Sequence, residues 1–413
     1  MILSSYDRLG RILSVAIVAV LGACGGDTPP TLSVAMEPIG SPAGAGSGQP
    51  YLAADAGDVY LSWLEASSEG GHDLRIARHD GADWTEPTTI AHREGFFVNW
   101  ADFPSVSVGP GATLWAHWLE RSGAGTYAYG VRVVRSDDGG ATWSEPWTPH
   151  DDDSPTEHGF VSTAAMADAM GFAWLDGRRY VEGADGSPPS HEMTLRYRSV
   201  DALGTPGPEM LVDERVCDCC QTASAVTEHG PVVVYRDRSE AEVRDTYISR
   251  LVDGAWTEGA PVHDDGWEIA GCPVNGPAVV ADGSSVAVAW FAAPGDVARV
   301  KVAFSHDAGA TFGAPTVVDD GSPGGRVDLL MMGDGSVLVS WLERTGGENA
   351  EIRIRRVDPD GASSESVAVS KSTEARASGF PRMVEAGDGS IVAAWTDVGA
   401  ETSHVRVTKL RLR

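Results

Sequence analysis

The sequence predicts an all-β protein built as a seven-bladed β-propeller, and three observations carry the prediction. A short β-type run ending in an aromatic residue and then a charged or polar cluster returns seven times, at Trp63, Trp118, Trp174, Tyr235, Trp290, Trp341 and Trp395. The intervals are 55, 56, 61, 55, 51 and 54 residues, with no helical pattern inside the unit, as expected of a repeated propeller blade. The 413 residues include 49 Gly and 24 Pro at 42% hydrophobic content, which suits a large β core joined by tight turns.

The N-terminus comes first. Arg8 and Arg11 precede an apolar run, Ile12 to Ala23, that is too short to span a bilayer and reads as a signal-peptide core. It ends in Leu21-Gly22-Ala23-Cys24, which resembles the lipobox of bacterial lipoproteins. The resemblance implies that residues 1–23 are removed and that Cys24 carries the lipid. With no Asp directly after the cysteine, it also implies the outer membrane of a Gram-negative bacterium. An ordinary cleaved signal with a chance cysteine is the plainer alternative. Residues 24–30 then read as a tether, and residues 31–413 as the propeller.

Each unit opens with a strand, here A, such as YLAADAG at 51–57, PSVSVGPG at 104–111, GPAVVADG at 276–283 and PRMVEAGDG at 381–389. A turn with Gly or Asp-Gly leads to strand B, which carries the aromatic, as in VYLSWLE, TLWAHWLE and VLVSWLE. Strand C follows in most units as an alternating run: DLRIAR at 73–78, GVRVVRS at 130–136, TLRYRS at 194–199, RVKVAFS at 299–305, EIRIRRV at 351–357 and HVRVTKL at 404–410. Apolar and charged residues in alternation put one face on the core and the other in water. Strand D is shorter, visible in TEPTTIA, SEPWTP, TEGAPVH and GAPTVVD. The last unit stops after its C strand, while residues 31–39, TLSVAMEPI, form a strand-like segment ahead of the first unit. Together they predict that the N-terminal segment completes the last blade and closes the ring, removing two exposed sheet edges.

A formal net charge of −28 argues against nucleic acid, whose phosphates need a basic footprint, and against polybasic contact with anionic lipid. Membrane association is expected through the lipid anchor only, and the chain is expected to be a monomer.

Between strands C and D, two units carry Ser136-Asp137-Asp138-Gly139-Gly140-Ala141-Thr142-Trp143 and Ser305-His306-Asp307-Ala308-Gly309-Ala310-Thr311-Phe312. Both fit Ser-x-Asp-x-Gly-x-Thr-aromatic. Asp and Ser oxygens can satisfy turn amides, Gly takes a conformation other residues resist, and the aromatic pins the hairpin. The motif resembles the Asp-box, or BNR repeat, of the sialidase (neuraminidase) superfamily. That resemblance covers the chain after the tether and implies that the Asp-boxes are structural turns opposite the active-site face. It also implies a sialidase-type glycoside hydrolase or a binder of acidic glycans. Known sialidase propellers have six blades, so a six-bladed ring is the alternative to seven.

If strand A starts at the functional end, the D-to-A and B-to-C loops share that end. A sialidase needs arginines to clamp the sugar carboxylate, a Tyr paired with a Glu as nucleophile, and an Asp as acid/base. Arg178, Arg236, Arg326 and Arg382 are the clamp candidates, with Asp102 and Asp176 as candidate catalytic acids. Each Arg beside an Asp at a blade end also reads as an inter-blade ion pair. The superfamily's Phe/Tyr-Arg-Ile-Pro motif is absent. Its nearest strings are Asp102-Phe103-Pro104 and Gly379-Phe380-Pro381-Arg382, and no Tyr-Glu pair is assigned to the mouth.

Cys217, Cys219, Cys220 and Cys272 lie just before the A strands of consecutive units, in RVCDCCQT and AGCPVNGP, so the four thiols are expected to meet near the channel mouth. In an exported protein the even count points to two disulfides. Adjacent Cys219 and Cys220 cannot comfortably pair, so bridging uses Cys272 and Cys217. A thiolate site for copper or zinc, with His158 and His263 in loops at the same end, is one alternative, and a reactive thiol is another. The function that goes with the metal reading is a non-catalytic envelope propeller that binds a soft metal or docks a partner.

Overall fold

The computed structural model describes residues 32–181, 189–399 and 402–413; the signal, Cys24 and tether assignments lie outside them. Seven antiparallel sheets follow one another along the chain. In blade 1 the strands run outward from the axis as Gly48–Asp55, Asp58–Ala66, His72–His79 and Thr88–Arg93. The innermost strands of the next six blades are Ser105–Val108, His158–Ala165, Ala223–Thr227, Ala278–Asp282, Pro323–Met331 and Gly379–Glu385. Each lies beside that of the next blade, and the seventh returns to the first. The count is seven, and the six-bladed alternative is set aside, because every repeated aromatic heads a sheet of its own.

Strand D varies most. It is regular in blades 3 and 6, at Met210–Val216 and Val367–Thr373, but only Thr316–Val317 in blade 5. In blade 2 it shrinks to a bridge between Val133 and Trp147. The outermost strand of the seventh sheet is Val34–Pro38, antiparallel to Ser403–Leu412, with Val34 opposite Leu412 and Pro38 opposite Thr408. Deleting residues 31–39 would uncover the edge of Ser403–Leu412 and should lower the melting temperature by at least about 5 °C, with aggregation on heating. Thermal melting followed by circular dichroism checks this, and an unchanged midpoint would show that the segment does not hold the ring.

The repeated aromatics explain why the sheets hold together. All seven are buried, and Trp63 of blade 1 shares a cluster with Val392, Ala394, Val405 and Val407 of blade 7. Residues two apart on a strand share a face. A carboxylate two positions past a tryptophan can therefore accept its indole N–H, which buried and unpaired would cost about 1–3 kcal/mol. Trp63 donates to Glu65 (2.9 Å), Trp118 to Glu120 (3.4 Å), Trp174 to Asp176 (2.9 Å) and Trp341 to Glu343 (2.6 Å). The acidic residue that trails these aromatics is thus a structural acceptor.

The two Asp-box turns are built alike. Ser136 Oγ donates to Asp138 Oδ1 (2.8 Å) and accepts the Gly140 N–H (2.8 Å), while Asp138 accepts the Thr142 N–H (2.8 Å) and hydroxyl (2.6 Å). The same four bonds around Ser305, Asp307, Gly309 and Thr311 measure 2.7, 2.9, 2.8 and 2.6 Å. The Ala308 N–H reaches Ser284 O (2.8 Å) at the A-to-B hairpin, so this turn lies at the hairpin end of its blade, away from the D-to-A loops.

Candidate functional site

On every blade, the inner-strand residue paired with the position just before the repeated aromatic occupies the same place. These residues are Tyr51, Ser105, Ser162, Ala223, Ala278, Asp328 and Arg382, opposite Ser62, His117, Ala173, Val234, Ala289, Ser340 and Ala394. All seven line one narrow axial slot. Five are small or aromatic and two are charged, so the slot is polarised towards blades 6 and 7. The Arg382 guanidinium bonds Asp328 Oδ1 (3.2 Å) and faces the rings of Tyr51 (4.9 Å) and Phe103 (5.4 Å). Its Nε is enclosed with no acceptor. Burial pushes the Asp328 carboxyl above its ordinary range, and Arg382 opposes that shift.

Where the inner strands begin, the backbone kinks. Gln49, Phe160, Arg326 and Phe380, each after a glycine, adopt φ of 56°, 51°, 59° and 53°. The ladder register shifts there between Gly48 and Tyr51, Gly325 and Asp328, and Gly379 and Arg382. A bulge re-aims side chains, and positive φ at a non-glycine residue costs about 1–3 kcal/mol unless its surroundings fix it. Here the preceding blade fixes three of the four. The Phe160 N–H donates to Asp102 Oδ1 (2.8 Å), Arg326 N–H to Asn275 Oδ1 (2.9 Å) and Gln49 N–H to Thr396 Oγ1 (3.0 Å). The residues so aimed are the ones at the mouth.

Past Ala101 and Phe160 the slot meets a wider vestibule of about 800 Å³, walled by Trp100, Tyr127, Tyr180, Asp218, Arg376 and the Cys219–Cys272 pair. These walls come from D-to-A and B-to-C loops, as the sorting of loops by strand direction predicts. Glu157 also opens on the vestibule. Behind it the Tyr129 hydroxyl lies 2.6 Å from Glu157 Oε1 and 2.8 Å from Asp102 Oδ2. One hydroxyl proton cannot serve two carboxylates, so burial keeps protons on the acids. It pushes Asp102 up to about 7 and Glu157 up to about 8, against the hydrogen bonds from Tyr129. Burial and both acids also hold the Tyr129 phenol well above its usual range. Sequence alone left this Tyr–Glu pair unassigned. Glu157 neighbours His158, and Tyr129 starts the alternation of GVRVVRS, but no local pattern joins residues on separate segments.

Three sequence candidates meet at the axis and three do not. Asp102 borders the slot at 1% exposure with both oxygens bonded. Arg326 lines the slot, stacks on Phe380 (5.0 Å) and donates to the carbonyls of Ser378 and Ala375. Burial lowers its pKa to about 10, so it remains a cation at neutral pH. Arg382 completes the set.

Asp176 and Arg178 belong instead to an ion-pair network within blade 3. Asp176, fully buried, binds Trp174 and Arg178 Nε (2.7 Å), and Arg178 reaches Glu209 (2.9 Å). Arg236 is 1% exposed, and its donors go to the carbonyls of Arg244 (2.6 Å), Asn275 (2.9 Å) and Phe291 (2.7 Å). The structure places these three in the framework, outside the lining of the axial slot, in keeping with the ion-pair alternative for Asp176 and Arg178.

The cysteines do converge, but as one disulfide, Cys219–Cys272, and two buried thiols, Cys217 and Cys220. The bond takes Cys219 and Cys272 out of the four-thiolate set expected for copper or zinc, and leaves Cys217 and Cys220, 2.8 Å apart, as the second pair of the two-disulfide expectation. His158 does not join them. It bonds Asp152 Oδ2 (3.0 Å) and stacks on His150 (4.1 Å), while His263 sits by Trp290.

The family model described as "BNR repeat-like domain" matches residues 57–392. No curated protein matches the chain. Among solved structures, the chain is similar to a protein of unknown function from Dyadobacter fermentans, at 16% identity over 93% of this chain and 99% of that one, with a TM-score of 0.50. It is also similar to the polysaccharide lyase Uly1, at 10% identity over 88% and 89% with a TM-score of 0.53. A NanB sialidase mutant from Streptococcus pneumoniae matches at 11% identity over 89% and 68%, with a TM-score of 0.42. Seven blades, paired Asp-box turns and a family match over most of its length make this chain a member of the BNR repeat-like domain family, with a sialidase-like propeller fold.

Proposed function

We propose that the protein binds an acidic glycan in the vestibule and slot while anchored to the cell envelope through Cys24. One observation carries the reading: Arg326 and Arg382 line the slot below the vestibule, where burial raises the adjoining Asp102 to about 7 and Glu157 to about 8 and so weakens the opposing negative charge. This gathers arginines at the mouth of a chain whose net charge is −28. The Arg382 guanidinium, which lines the slot, offers a charge-assisted donor to a ligand carboxylate, and Trp100, Tyr127 and Tyr180 offer ring faces to sugars. The disulfide fits an oxidising compartment outside the cytosol.

Calorimetric titration with sialic-acid-terminated, uronate-containing and neutral oligosaccharides tests this. Acidic glycans should bind, with affinity about tenfold lower in Arg382→Ala, the loss of one charge-assisted contact. Equal affinity for neutral glycans, or binding to none, would remove the reading. Incorporation of labelled fatty acid, abolished in Cys24→Ser, checks the anchor.

A second reading, hydrolysis of sialosides, is favoured by Tyr129 lying between Glu157 and Asp102. Against it, the hydroxyl is buried and lines neither cavity, and burial holds the phenol well above its usual range. Release of sialic acid from a fluorogenic sialoside, lost in Tyr129→Phe, would establish it.

A further inference from the structure

The four clustered cysteines divide into pairs of different character. Cys219–Cys272 forms part of the vestibule wall, and Cys272 is exposed. Cys217 and Cys220, spaced as Cys-x-x-Cys, are buried thiols with sulfurs 2.8 Å apart. The sulfurs of Cys217, Cys219 and Cys220 all lie within 4.8 Å of one another, so both thiols stand next to a disulfide sulfur. Arg244 directs Nη1 at Cys217 Sγ (3.5 Å), and this buried guanidinium favours a thiolate at that position.

We propose that Cys217 and Cys220 are a dithiol that exchanges with the Cys219–Cys272 disulfide, forming a two-electron redox site open to external dithiols through Cys272. The Cys217 thiolate attacks Cys219 Sγ. A Cys217–Cys219 bond forms, the Cys219–Cys272 bond breaks, and Cys272 leaves as a thiolate that takes up the proton Cys217 gave up. The Cys220 thiolate then attacks Cys217 Sγ, and Cys219 leaves with the proton from Cys220. One disulfide and two thiols stand on each side, so no net electrons are transferred. An external dithiol that reduces the remaining disulfide is itself oxidised to a disulfide, leaving four thiols. In the exchanged form Cys272, Pro273 and Val274 lose their covalent tie to Cys219. The redox state thereby sets how firmly one vestibule wall is held, whatever ligand the vestibule takes.

Disulfide mapping tests the exchange. Full-chain protein is equilibrated in dithiothreitol redox buffers, acid-quenched, alkylated under denaturing conditions and analysed by peptide mass spectrometry with elemental analysis. Species with one disulfide should contain both Cys219–Cys272 and Cys217–Cys220 linkages. In Cys220→Ser, which lacks the resolving thiol, a Cys217–Cys219 linkage should accumulate. The proposal is overturned by Cys219–Cys272 as the sole linkage at every potential. It is equally overturned if both pairs close independently with no Cys217–Cys219 linkage in the variant, or if four thiols hold zinc or copper.

Discussion

Replacing Arg236 with alanine should destabilise the propeller by about 4 kcal/mol, within the range for breaking a buried, hydrogen-bonded charge. The guanidinium joins three carbonyls: Arg244 O in the B-to-C loop of blade 4, and Asn275 O and Phe291 O of blade 5. It also stacks over Trp267 at 4.8 Å. Arg236→Lys should recover little, because an ammonium is a point donor and cannot span a planar fork of acceptors. Urea unfolding measures the loss, and glycan titration of the folded fraction should be unchanged. Lost binding with intact stability would return Arg236 to the ligand contacts suggested by its sequence position.

Asp102 and Glu157 together should withdraw roughly 2.5 kcal/mol of stability between pH 6.5 and 8, since each tenfold difference in proton affinity between folded and unfolded chains is worth about 1.36 kcal/mol. Asp102 and Glu157 have folded pKa values raised from 3.8 to about 7 and from 4.5 to about 8. Their contribution is fully present below the unfolded values and is lost as pH rises through the folded ones. His117 and His150 act in the opposite sense. Burial lowers both from 6.5 to about 4, so their contribution is present above 6.5 and is lost as pH falls towards 4. Between about pH 4 and 6.5 the two sets largely offset each other, but Asp237, raised by burial to about 6, adds to the loss there, and Cys217, lowered to about 6, adds stability as pH rises above it, so the share of Asp102 and Glu157 is read from the difference between wild type and variants. Melting temperatures across pH 5 to 8 check this, with Asp102→Asn and Glu157→Gln expected to flatten the alkaline limb. Variant profiles that run parallel to the wild type from pH 6.5 to 8 would show that the acids are ionised throughout.

The blade count was legible because an aromatic two residues before a carboxylate is a local pattern, and local patterns survive in a linear reading. The same pattern misled about the site. Asp176 follows Trp174 as an indole acceptor, not as an acid at the mouth. Loop sorting succeeded for Asp102, Arg326 and Arg382 because hairpin parity fixes the end at which an inner strand begins. Strand Thr246–Val252 of blade 4 escaped notice because Arg250 is its sole charge, too little for alternation to show. The Tyr129–Glu157–Asp102 contact was illegible because it forms across segments that are distant in sequence and packed out of water, where no periodicity marks the partners.

The pins at the inner-strand bulges share one direction around the ring. Asp102 of blade 2 fixes blade 3, Asn275 of blade 5 fixes blade 6, Asp328 of blade 6 holds the Met383 N–H of blade 7 (2.8 Å), and Thr396 of blade 7 fixes blade 1. A displacement at the lip of blade 5 is handed forward through blades 6 and 7 to blade 1. The aperture is consequently a collective dimension that no single blade sets, so altering its bore requires successive lips to shift together.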